Sequence, residues 1–99
     1  LKINALPDSF TLFPTHPNPF NPETTIELYA PLKTEIRLTI YDLLGQTIRT
    51  LVNGETLPGY HQVIWDGRND HGKQVASGTY FLVMQAMNFR HLQKLLLLK

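Results

Sequence analysis

Apolar side chains recur at every second position over much of the chain. Ile26, Leu28 and Ala30 alternate with Thr25, Glu27 and Tyr29, and Ile36, Leu38 and Ile40 alternate with Glu35, Arg37 and Thr39. A period of two belongs to a strand with one face in a core and the other toward water, so these segments predict two half-buried strands. Asp42-Leu43-Leu44-Gly45 predicts a tight turn into a strand over Gln46–Val52, with Gly45 supplying left-handed backbone. Asn53-Gly54 and Pro58-Gly59 read as further turns. His61, Val63 and Trp65 share a face of the next strand, and Asp66-Gly67 closes it. Trp65 is the expected central aromatic, and His61 a partly buried neighbour. Gly78–Met84 is apolar on both faces, which suits a strand covered on both sides or one meeting a partner. Arg90–Lys99 supplies the closing strand. With no sustained helical period, the pattern predicts an all-β sandwich or open barrel.

The first quarter reads differently. Six of the seven prolines fall at positions 7, 14, 17, 19, 22 and 31, where they forbid helix interiors and central ladders. Residues 1–13 are expected to be a linker from an upstream domain and residues 14–99 the folded unit, with Phe20 plugging one end of its core. Leu rather than Met stands at position 1, so this is expected to be a piece of a longer protein. At 42% hydrophobic and 17% charged the composition is globular rather than disordered.

Charge and composition narrow the chemistry. Without cysteine there is no disulfide, no thiolate nucleophile and no Cys-based metal site. Apolar runs such as Leu95–Leu98 are far short of the roughly 20 residues a spanning helix needs, so no stable membrane insertion is expected. Residues 71–99 carry four Lys/Arg and no acid, against five Lys/Arg and eight Asp/Glu before them. Four cations on strand-like segments are too few for a nucleic-acid footprint. Asp66, Asn69 and Asp70 lack the donor spacing of a calcium loop and read as Asx turns. The histidines at 16, 61, 71 and 91 show no metal-ligand spacing, and neither Ser9 nor Ser77 adjoins a base motif. No catalytic residue, metal or cofactor is expected. Gly45, Gly59, Gly67, Gly72 and Gly78 read as turn glycines.

Four motifs occur in order: Asn18-Pro19-Phe20-Asn21-Pro22-x-Thr24-x-Ile26; Ile40-Tyr41-x-x-x-Gly45-Gln46; Gly59-x-His61-x-Val63-x-Trp65-Asp66-Gly67; and Val75-Ala76-Ser77-Gly78-x-Tyr80-Phe81. With them the chain closely resembles, from Pro14 to Lys99, the type A C-terminal sorting domains of the type IX secretion system. Those domains are in turn similar to the immunoglobulin-like domain of flagellar hook-capping proteins. The resemblance implies an immunoglobulin-like antiparallel β-sandwich of about seven strands. It also implies a non-catalytic signal that directs an exported cargo through the periplasm and across the outer membrane to the cell surface or medium. The implied partners are the secretion machinery, a sortase-like peptidase that often removes the domain, and an upstream cargo domain of the same chain. Arg90, Lys94 and Lys99 are then the recognition residues, and the motif residues are mainly structural. Two other roles compete. One is a spacer packed on a neighbouring enzyme domain through Phe81, Val83 and Met87; the other is a carbohydrate-binding module presenting Tyr29 and Tyr41.

Overall fold

The alternation of apolar residues builds seven strands among residues 9–99, which are those a computed structural model of the chain describes. One sheet has the order β1-β2-β5, from β1 (Thr11–Leu12), β2 (Thr24–Ala30) and β5 (Gly59–Trp65). The other has the order β4-β3-β6-β7, from β3 (Thr34–Tyr41), β4 (Thr47–Thr56), β6 (Gly78–Ala86) and β7 (Phe89–Leu97). All strand pairs are antiparallel. The two sheets face each other across the predicted apolar rows: Ile26, Leu28 and Ala30 from β2, Ile36, Leu38 and Ile40 from β3. Leu82, Met84, Leu95 and Leu97 complete the layer from β6 and β7. Trp65 is wholly buried, with the rings of Phe20 and Tyr80 each 5.5 Å away. Tilted and edge-on contacts of this kind add about 0.5–1.5 kcal/mol each beyond area burial. Phe20 thus plugs the core as its setting among prolines implies.

Three local expectations give way to tertiary packing. Thr11 and Leu12, within the stretch expected to be linker, pair with Tyr29 and Leu28, and Leu12 is buried in the core; residues 1–8 lie outside the described residues. Asn53-Gly54 is no turn. Asn53 and Gly54 stand opposite Arg37 and Ile36, so β4 runs through them for ten residues, and pairing along a ladder of that length overrides the local turn preference of Asn-Gly. The chain changes sheet at Leu57-Pro58 instead. Met87 sits in the short connection between β6 and β7, 69% exposed, rather than on a face with Phe81 and Val83.

Apolar residues at consecutive positions near the end still obey the pleat. Leu95 and Leu97 point into the core, whereas Leu96 is half-buried and Leu98 exposed on the opposite side.

Candidate recognition site

The Asn18–Pro22 segment lies along the outer edge of β7. Asn18 Nδ2 donates to the carbonyl of Lys94 at 2.9 Å, and Leu96 N–H donates to Asn18 Oδ1 at 3.0 Å. Phe20 N–H donates to Leu96 O at 3.0 Å, and Leu98 N–H donates to Phe20 O at 2.9 Å. The prolines at 17, 19 and 22 cannot donate, so they leave the motif extended and put its hydrogen bonding on Asn18 and Phe20. Phe20 faces Leu97 in a one-residue parallel bridge while its ring enters the core. One side chain and one backbone unit therefore act as an additional short strand over a basic edge.

The Asp66–Gln74 loop closes the same end of the sandwich. Gly67 has φ +77°, and a Cβ there would stand 3.2 Å from the carbonyl oxygen of Pro22, so the two motifs meet closely at a position where a side chain would be strained and crowded. Trp65 Nε1 donates to Arg68 O at 2.9 Å, which satisfies the indole that the core buries. Asp66 Oδ1 accepts from the Arg68 backbone N–H and from the Arg49 guanidinium, and Asn69 Oδ1 accepts from the N–H of His71 and Lys73. Asp70 docks the loop on the free side of β4, donating its N–H to Ile48 O and accepting from Thr50 N–H. Asp66 and Asn69 thus cap local turns as their spacing implies, whereas the carboxylate of Asp70 is taken up by β4 rather than by an Asx turn.

Tyr80 follows the pattern of a tyrosine corner, its hydroxyl donating to Ala76 O at 2.6 Å. Burial, and secondarily the charge of Asp42, push its pKa above the ordinary tyrosine value. Gly45 has φ +83° in the β3–β4 turn, where Asp42 Oδ1 accepts from Leu44 and Gln46 N–H. Gly59, Gly72 and Gly78 also occupy positive-φ positions at turns and strand starts.

The candidate recognition residues are not one cluster. Arg90 and Lys94 are exposed on the same side of β7, four residues and so about 13 Å apart. Lys99, also exposed, lines a cavity of about 290 Å³ with Asn21, Pro22, Asp66 and Gly67 at the motif-bearing end. Tyr29, expected to be exposed, is instead buried beneath Tyr60, their ring centroids 4.9 Å apart. Tyr60 stands directly opposite Tyr29 across the sheet and is 52% exposed. Tyr41 is half-buried. His61 is partly buried, with Nε2 2.6 Å from Leu57 O. Gln93 carries no sequence signal, yet its amide spans the sheets, donating to Phe13 O at 2.7 Å and accepting from Thr15 N–H at 3.3 Å.

Comparison with known proteins places this geometry. Basal-body rod modification protein FlgD of Salmonella typhimurium is 36% identical over 63 residues, 64% of this chain and 27% of that protein. The chain thus spans about a quarter of the length of the curated relative it matches. Among solved structures, latent dimeric PorU of Porphyromonas gingivalis superposes with a TM-score of 0.69 at 17% identity, covering 96% of this chain and 10% of that one. PorZ, a surface component of the type IX secretion system of the same organism, gives 0.61 at 22% identity, over 89% of this chain and 11% of its own. FlgD of P. aeruginosa gives 0.57 at 23%, over 75% and 59%. At these identities the structural likeness establishes the shared fold. The FlgD Ig-like domain family matches residues 21–89, well over half of the sequence and every strand from β2 to β6, and the chain belongs to that family.

Proposed function

We propose that the domain is a non-catalytic sorting signal for type IX secretion, read through its basic C-terminal strand while folded. The observation that carries this reading is the clamp on β7. Asn18 and Phe20 hold the strand bearing Arg90 and Lys94 on the sandwich, with both cations directed to solvent. The likeness to domains of PorU and PorZ supports the same reading, as do the four ordered motifs. On this view the partners are the outer-membrane secretion machinery and a sortase-like peptidase. The domain follows a cargo domain and leaves the cell with it.

Charge reversal tests the proposal without unfolding the domain, because exposed side chains away from special backbone or buried contacts usually change stability by only about 0.5 kcal/mol. A reporter carrying the chain with Arg90, Lys94 and Lys99 replaced by Glu should remain in the periplasm of a host with the machinery, while the unaltered fusion reaches the medium. Equal export of the two overturns the reading. A spacer role is favoured by one observation, the groove of about 370 Å³ on the outer face of β3, β6 and β7 lined by Tyr41, Phe81, Val83 and Leu92. The mass of the exported product separates the two: a sorting tail is absent from the mature protein, whereas a spacer remains.

A further inference from the structure

Half of the outer edge of β7 is uncovered. The pairing of Leu96 and Leu98 with Asn18 and Phe20 means that the even-numbered residues of β7 turn their backbone groups away from β6. Asn18 and Phe20 reach no further than Lys94 O, because the preceding chain leaves for β2, where His16 pairs with Thr25. Among the described residues no hydrogen bond reaches the outward N–H and C=O of Arg90 and Leu92, or the N–H of Lys94. A length of unpaired strand of this kind is a template for another strand.

Grooves lie on both sides of that edge. On the outer face is the 370 Å³ groove with Phe81, Val83 and Leu92; its one carboxylate, Asp42, already accepts from the N–H groups of Leu44 and Gln46. On the lateral side, between β1 and β7, a groove of about 580 Å³ is lined by Pro14, Thr15, Asn18, His91, Gln93 and Lys94. Thr15 is 5% exposed and its hydroxyl has no partner. Successive side chains of an added strand point to opposite faces. One set would therefore lie on the outer face, where Arg90, Leu92 and Lys94 stand together, and the other would enter the lateral groove against Leu12, Pro14 and Thr15.

Charge selects the occupant. A second copy pairing antiparallel about Leu92 would set Arg90 opposite Lys94, and like charges directly opposed in a sheet are unfavourable. An acidic strand gains at both positions, and residues 71–99 contain no carboxylate side chain to compete with it. We propose that the Arg90–Lys94 edge of β7 is a β-augmentation site for an extended partner segment alternating acidic and apolar residues. The proposal rests on the sorting reading and names the chemistry of what the basic strand recognises.

The test titrates the isotope-labelled chain with the blocked peptide acetyl-Glu-Val-Glu-Val-Glu-Val-Glu-amide, followed by NMR. Binding should slow amide exchange at Leu92 and Lys94. Leu92→Pro removes an outward donor that the β6 ladder does not use, a place where an edge strand tolerates proline. It should weaken binding about tenfold, equivalent to about 1.4 kcal/mol. Should that variant fail to fold, the double exchange Arg90→Glu with Lys94→Glu serves, since it should transfer preference to the same peptide with Lys for Glu. Absent binding, equal binding of both peptides, protection elsewhere, or a concentration-dependent dimer paired through β7 overturns the proposal. The two readings fail separately: an export defect without peptide binding removes strand pairing and keeps the sorting role, and peptide binding with normal export of the charge-reversed fusion does the reverse.

Discussion

Asn18 does with a side-chain amide what a strand does with its backbone, donating to one residue of β7 and accepting from the next but one. Each such bond contributes about 1 kcal/mol net. Asn18→Ala should therefore destabilise the domain by about 1–2 kcal/mol, lowering its unfolding temperature by about 5–10 °C in calorimetry. Asn18→Asp should not restore it, because a carboxylate oxygen would face Lys94 O where the amide donates. An unchanged transition in the Ala variant would mean that Phe20 alone holds the edge. In the sequence Asn18 stands out only as part of a proline-rich motif, and its bonding role is not legible because its partner lies 76 residues away. By contrast Trp65 was legible from parity alone, and so was its burial; the acceptor for its indole, Arg68 O, depends on how the following loop folds back.

Among the strands, β7 depends most on company. It lies at the end of its sheet, paired with β6 through nine residues on one side and with the Asn18–Phe20 segment on the other. Leu95 and Leu97 are both core residues, and emptying each site costs about 2–5 kcal/mol. Their joint loss approaches the whole stability of a domain this size, about 5–15 kcal/mol. Deleting residues 90–99 should abolish the cooperative unfolding transition and the dispersed NMR spectrum; a truncated chain that keeps both would show that six strands suffice. This is why charge reversal, not truncation, isolates recognition from folding. The closing strand expected over Arg90–Lys99 forms as β7, although its consecutive leucines do not alternate with polar residues, whereas the Asn53-Gly54 turn signal failed because β3 supplies partners for both residues.

At the scale of the molecule, the sandwich couples its stability to alkaline pH through Tyr80. The ring packs edge-on to Trp65 and the hydroxyl closes on Ala76 O, so burial, then the charge of Asp42, favours the neutral phenol in the folded state. An unfolded tyrosine ionises near pH 10. Below about pH 10 the contribution is fully present; above it the unfolded chain loses its proton first, and stability falls as pH rises toward the raised folded value. Urea unfolding between about pH 8 and 11 should show a shallower alkaline decline for Tyr80→Phe, with a loss of about 1 kcal/mol at neutral pH from the missing hydrogen bond. Parallel declines would place the effect in another group.

Period-two alternation, turn residues and proline placement were enough to determine the strand-rich sandwich, the identity of most core residues and the plugging role of Phe20, because each depends on the local geometry of the chain. Where β1 joins the sheet, which tyrosine of the Tyr29–Tyr60 pair is exposed, and how far the basic edge of β7 lies open were decided only by tertiary structure. Each depends on which distant backbone groups arrive beside one another, and pairing between strands far apart in sequence leaves no periodic trace in either strand alone.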